Sequence, residues 1–224
     1  MASPADITIK DLSGEWTMDK TLSNPTEPIL ALQGMGWMKR KALNIATVTL
    51  TVHQYADEKD PKVLHVNIDQ TVTGGIPGTT EHRITDWEGR EHEDHVFGNV
   101  RGQSRLIRGS KGDDGKFRPN VEIATKTDDE NVKKFLKGEI LADGKDTEGF
   151  VADNVGEEYG EGESLFLQSF VQNLDSNGGW TAEQIWGFEV IDGKRYYTRR
   201  VVVAKDGKYE KARFVYTFIK RRGE

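Results

Sequence analysis

The chain has 224 residues, of which 35% are hydrophobic and 30% charged, with a net charge of −6 and no cysteine. That mixture is too apolar for a disordered chain and too polar for a membrane protein, and no run approaches the roughly 18 apolar residues that a spanning helix needs. The acidity argues against a general nucleic-acid surface, and the lack of cysteine excludes disulfides, thiolate catalysis and cysteine-held metals.

The first ten residues, MASPADITIK, have neither a charged n-region nor an apolar h-region, which predicts no signal peptide and a cytoplasmic protein. The stretch LSGEWTMDK (12–20) then alternates as a first strand, with Gly14 and Trp16 on one face. An indole covers a large apolar area and can plug the end of a barrel, while Gly14 leaves room for a neighbouring chain. Asn24-Pro25-Thr26-Glu27-Pro28 is a helix start. Ile29 and Leu32 begin one apolar face and Leu30 and Trp37 a second, but Gly34 and Gly36 each weaken the helix by about 1 kcal/mol. One short helix is expected, supported by lying across a barrel mouth as a lid.

Period-two runs dominate the rest. Val48, Leu50 and Val52 oppose Thr47, Thr49 and Thr51 in 45–56, and Leu64, Val66 and Ile68 alternate with His65, Asn67 and Asp69 in 62–72. Further strands are predicted near 79–87, 90–97, 100–108, 148–154, 164–173, 180–191, 195–204 and 209–220. Asp192-Gly193 and Asp206-Gly207 suit tight type I′ hairpins, and Glu88-Gly89 is expected to do the same; 74–78 and 109–116 read as looser loops. A second helical turn is expected around Asn131–Lys137, with Val132, Phe135 and Leu136 on one face. The acidic, glycine-rich 156–163 run reads as a solvated loop, so residues 1–224 form a single domain. Such a meander must hide two sheet edges, and closure removes both. The predicted fold is all-β: an up-and-down antiparallel β-barrel of about ten strands with one short N-terminal helix.

Conventional catalytic motifs are missing. There is no Gly-x-Ser-x-Gly elbow, Walker loop or dinucleotide fingerprint, and no cofactor is expected. Glu91-His92-Glu93-Asp94-His95 is the most conspicuous polar cluster; it reads as an exposed charged hairpin rather than a metal site, and no metal is expected. The basic runs 39–41 and 220–222 read as solvated element ends. The late strands carry more. Phe166, Gln168 and Phe170 share one face, Trp180, Gln184, Trp186, Phe188 and Val190 a second, and Phe214, Tyr216 and Phe218 a third. Unpartnered buried amides cost roughly 1–3 kcal/mol, so a ligand pocket with apolar walls and a few orienting polar groups explains these faces. The competing reading turns Gln168 and Gln184 to solvent and leaves the aromatics merely to pack.

Gly14-x-Trp16 opening the first strand, followed by an early helix and a meander, resembles the lipocalin and fatty-acid-binding superfamily of up-and-down barrels. The longer pattern LSGEWTMDKTLS with ILALQGMGWMKRKALNIATVTLTVHQY resembles a family of small fungal lipocalin-like proteins, closely over residues 12–55 and by strand pattern beyond. That resemblance implies a cofactor-independent cyclase of secondary metabolism, including hetero-Diels–Alder catalysts that join a tropolone-derived quinone methide to a terpene. Arg213-Phe214-Val215-Tyr216 lacks the Arg-x-Tyr spacing of fatty-acid carriers.

Under this reading Gln168, Gln184 or Tyr216 would polarise the heterodiene oxygen, and Trp37, Phe166, Phe170, Trp186, Phe188, Phe214 and Phe218 would line the substrate site. The second reading is a non-catalytic intracellular carrier of a hydrophobic small molecule. A third, a protein-binding scaffold, predicts a filled barrel. The expected partner is a hydrophobic small molecule, with no nucleic acid and no membrane; an exposed 90–97 hairpin could pair with a twin to form a homodimer.

Overall fold

The period-two runs fold into one antiparallel sheet of eleven strands. They are β1 (Gly14–Met18), β2 (Val48–Ala56), β3 (Leu64–Val72), β4 (Thr80–Ile84), β5 (Arg90–Asp94), β6 (Gly98–Lys111), β7 (Phe117–Pro119), β8 (Glu163–Asn173), β9 (Thr181–Ile191), β10 (Lys194–Lys205) and β11 (Lys208–Lys220). The computed structural model describes residues 2–76, 78–153 and 155–223. Pro77 of the expected 74–78 loop and Asn154 of the expected 148–154 strand lie outside the described residues.

The path runs β4-β3-β2-β1-β11-β10-β9-β8-β6-β5, with β7 paired to β6 off the path. The first and last strands thus pair, Trp16 opposite Phe218, and the meander curls into the up-and-down barrel that its sequence predicts. The two path ends, β4 and β5, form no ladder with each other. The segment after β4 is instead tied to β6, by an isolated bridge between Asp86 and Arg105 and by the Trp87 N–H donating to Ser104 O at 2.8 Å. This corrects the expectation of a tight hairpin at Glu88-Gly89: Trp87 takes the positive φ of 63°, under the Arg105 guanidinium, because the chain here crosses a gap instead of folding back on a partner. The other two turns form as expected, with φ of 50° and 73° at Asp192-Gly193 and 51° and 74° at Asp206-Gly207.

Three further expectations change. The single N-terminal helix is two, α1 (Glu27–Leu32) and α2 (Trp37–Ile45), because Gly34 turns left-handed (φ 84°) and Gly36 caps the second helix. The described residues of the 148–154 run form no strand; Phe150 makes only isolated bridges, to Phe117 and Glu189. Val190, expected inward, is exposed. The second helical turn does form, as α3 (Glu130–Leu136), capped by Asp129 and burying Val132, Phe135 and Leu136.

One end of the barrel is packed solid. Ile7, Ile9 and Leu12 of the N-terminal segment are buried there with Trp16, Phe188, Tyr197 and Phe218. The segment is held by side chains from both sides: Arg195 donates to Pro4 O and Ile7 O, and Gln54 Nε2 donates to Ile9 O and Lys10 O. Trp16 is fully buried, its indole N–H donates to Leu12 O at 2.9 Å, and its ring meets those of Tyr197 and Phe218 at 5.2 and 5.0 Å. The indole therefore closes this end as its position predicts. Gly14 has φ of 144°, and a Cβ there would meet Lys220 O at 2.7 Å and the Phe218 ring at 2.8 Å. Gly14→Ala is expected to cost at least about 2 kcal/mol in urea unfolding, from backbone strain and overpacking together.

A second layer covers the outside of β8, β9 and β10. Residues 112–162 between β6 and β8 bring α3 and Phe150 onto Phe166, Ile185 and Val202. As a result β10 is buried on both faces from Tyr196 to Val203. Its outward Arg200 pairs bidentately with the fully buried Glu189 at 2.9 and 3.0 Å and donates to Phe135 O and Ile140 O at the end of α3. Burial alone would raise the Glu189 carboxyl, but Arg200 and Arg213 hold it below the usual carboxylate range.

Candidate functional site

At the opposite end the barrel is hollow. A cavity of about 770 Å³ lies beneath α1 and α2, walled by side chains such as Val100, Trp180, Val201, Val203 and Phe214. The helices and the turn between them are the expected lid: Ile29, Leu30 and Met35 line the cavity, while Trp37 is 62% exposed and does not line it. Where β4 and β5 part, polar and charged side chains, among them His82, Arg90, His92 and Asp94, edge the space.

The cavity floor is polar, and alternation puts it there. Glu81 and Arg83 project inward from β4, Arg199 from β10, Gln184 from β9 and Tyr216 from β11. Glu81 accepts from Arg83 Nε and Nη2 at 2.9 and 2.7 Å, from Gln70 at 2.5 Å and from Arg199 Nη1 at 3.5 Å. Arg83 Nη1 also donates to Ser169 Oγ. Arg199 lies 3.9 Å over the Trp186 ring and donates from Nε to the Tyr197 hydroxyl at 2.9 Å. Its Nη2 is buried without a partner among the described residues. Trp186 Nε1 donates to Gln184 Oε1 at 2.8 Å, which leaves the amide nitrogen of Gln184 as a donor toward the cavity.

Burial shapes the ionisation of this floor. It would raise the Glu81 carboxyl, but the Arg83 and Arg199 guanidiniums overcome it and hold the group at about 2. Burial also raises the Tyr197 and Tyr216 phenols, against the pull of Arg199, so both stay protonated. The Glu81 contribution to stability is therefore complete above the usual carboxylate range and is lost as the pH falls from about 4.5 toward 2. Up to about 3 kcal/mol should disappear over that window. Urea melts of the wild type between pH 5 and 2.5 should show this loss, and Glu81→Gln should flatten the slope.

The structure sorts the expected site residues. Gln184, Tyr216 and Phe214 line the cavity. Gln168 does not: it faces outward with Phe166 and Phe170, accepts from Arg105 Nε at 2.7 Å, and donates to Glu122 O and to Glu183 at 2.9 and 2.7 Å. Phe166 belongs to the outer core beneath α3. Parity within β8 is as expected, but the buried side of Phe166 and Gln168 is the covered outer face. Trp186 points inward yet lies under Arg199, and Phe188 and Phe218 are in the packed end. Arg199, Glu81 and Arg83 were not expected. The adjacent arginines in Arg199-Arg200-Val201-Val202-Val203 were the available signal, since charge inside an apolar strand demands buried partners. Among the described residues no three His, Asp or Glu side chains are grouped as a metal would require, the 91–95 cluster included; Asp94 there accepts the N–H groups of Val96 and Phe97.

No family model matches the chain. It is 26% identical over 218 residues to a protein of Mollisia scopiformis named "Probable pericyclase scpY", covering 97% of this chain and 95% of the relative. It is 25% identical over 219 residues to "Pericyclase pydY" of an Acremonium species, covering 98% and 97%. Among solved structures, fatty-acid-binding protein 1 of Echinococcus granulosus is 12% identical, covers 93% of this chain and 97% of its own, and gives a TM-score of 0.47.

Proposed function

We propose that the chain is a cofactor-independent cyclase that binds a hydrophobic, polyunsaturated substrate in the barrel cavity and promotes a pericyclic ring closure. The observation that carries this reading is the donor set at the closed end of an apolar cavity: Arg199 Nη2, the Tyr216 hydroxyl and the Gln184 amide. The names of the two full-length relatives favour a pericyclic reaction within the cyclase class.

Such a reaction needs no nucleophile and no leaving group. In a hetero-Diels–Alder addition two new σ bonds form at the expense of two π bonds, and every atom is retained. Two contributions remain for the protein. Holding the reacting carbons in near-attack geometry is worth up to about 7–11 kcal/mol in the best cases. Donors aimed at the oxygen of a heterodiene stabilise the charge that builds there when one σ bond leads the other. A volume near 770 Å³ falls in the range of small-molecule sites and has room for two joined partners. The addition of a quinone methide to a terpene is the first reaction to test, with the heterodiene oxygen at Arg199 and the alkene against Trp180 and Phe214.

Incubating the protein with a thermally generated quinone methide and a cyclic terpene should raise the rate and shift the enantiomeric excess of the adduct from zero. A racemic product at the uncatalysed rate would remove this reaction. The second reading, a carrier, is favoured by the apolar-walled cavity itself, and predicts ligand binding with no change in product.

A further inference from the structure

We infer that the ligand of this cavity carries a single oxyanion, and that Arg199 receives it. The inference rests on the cavity being the binding site. Three observations lead to it. First, the floor holds two guanidiniums and one carboxylate. Arg83 spends two N–H groups on one oxygen of Glu81 and a third on Ser169, while Arg199 reaches the other oxygen only at 3.5 Å. The surplus positive charge therefore sits on Arg199.

Second, Arg199 is only 4% exposed, and its Nη2 is a buried donor with no acceptor among the described residues. Third, among the described residues nothing else that meets it supplies a negative charge. The groups it meets are Glu81 of β4, Trp186 of β9, Tyr197 of its own strand and Tyr216 of β11, and Arg83 and Gln184 line the same cavity. A buried cation without a full counter-charge is costly, and a partner anion offsets that cost. An ammonium ligand would add to the repulsion, and a pure hydrocarbon would leave the donor unmet. An apolar body ending in one oxyanion satisfies both the walls and the floor. The phenol of Tyr216 and the amide nitrogen of Gln184 can then donate to the same oxygen.

The shared chemistry, an oxygen anion on an apolar frame, could be a localised carboxylate or a delocalised phenolate or enolate. Four probes separate them: a para-nitrophenol bearing an ortho alkyl chain, its methyl ether, a fatty acid of similar length and its methyl ester. Binding to the intact protein is read by tryptophan fluorescence, and ionisation of the bound nitrophenol by its own absorbance. At least one anion should bind about tenfold or more tightly than its neutral partner. A bound nitrophenol should show its pKa lowered by a unit or more if the delocalised anion is the preferred form; preference for the acid alone assigns the carboxylate. Arg199→Met, which leaves Glu81 paired with Arg83, should bring each anion and its neutral partner to within about twofold. Equal affinity for anion and neutral partner in the wild type overturns the inference while the cavity reading stands. Retained preference in Arg199→Met overturns the role of Arg199. Should that variant not fold, the wild-type comparison decides alone. Failure of all four probes to bind removes both the inference and the cavity reading.

Discussion

Replacing Arg200 by methionine should lower stability by about 3–5 kcal/mol in urea unfolding, with little change in m. Arg200 is fully buried and makes four hydrogen bonds, two to Glu189 and two to the carbonyls of Phe135 and Ile140. The methionine would fill much of the volume but leave Glu189, 1% exposed, with only Thr198 and Arg213, and would strand two carbonyls. The loss is large because a buried carboxylate keeps one guanidinium, that of Arg213, where it had two, and two buried carbonyls lose their donor. The double variant Arg200→Met/Glu189→Met should recover part of it, because it removes the desolvation cost of both charges, while Arg213, bonded to Glu189 at 3.0 Å, loses that partner. A double variant as unstable as the single one would mean that the carbonyl bonds to the α3 segment, and not the ion pair, dominate.

The other large effect concerns the reaction. If the adduct forms on the protein, Arg199→Met should reduce the acceleration about 10²–10³-fold, the usual loss when a donor to a developing oxyanion is removed. Tyr216→Phe and Gln184→Leu should each cost about tenfold, since each removes one neutral donor and leaves Arg199 in place. Gln168→Leu is the contrast. Gln168 bonds Arg105, Glu122 and Glu183 on the outer face, so the variant should be less stable by about 1–3 kcal/mol yet turn over at the wild-type rate where it is folded. Initial rates of adduct formation, corrected for the uncatalysed background, would read all four. A rate for Arg199→Met close to wild type would move the chemistry away from the cavity floor.

The elements were legible because their signals are local. Alternation in 45–56 and 62–72 appears as β2 and β3 with Leu50, Val52, Leu64, Val66 and Ile68 all buried. Asp-Gly pairs produced the two tight hairpins, since positive φ at both central positions is a property of those residues alone. The chemistry was less legible. Parity says which residues of a strand share a face, but not which face looks into the hollow. Phe166 and Gln168 were grouped correctly and sit on the outside, under a layer supplied by residues 112–162. A covered outer face looks like an inner one in sequence, because both are apolar and both satisfy their polar groups.

By itself the sequence determined most of the strands, the two Asp-Gly turns, an early helical lid and the indole-closed end, all set by side-chain period, backbone preference and the bulk of Trp16 over Gly14. Only the tertiary structure decided where the cavity lies and what is at its floor. Glu81 and Arg199 are 118 residues apart, and no local pattern links them. They meet because the curled sheet brings β4 and β10 face to face, and because charges removed from water must find one another inside it.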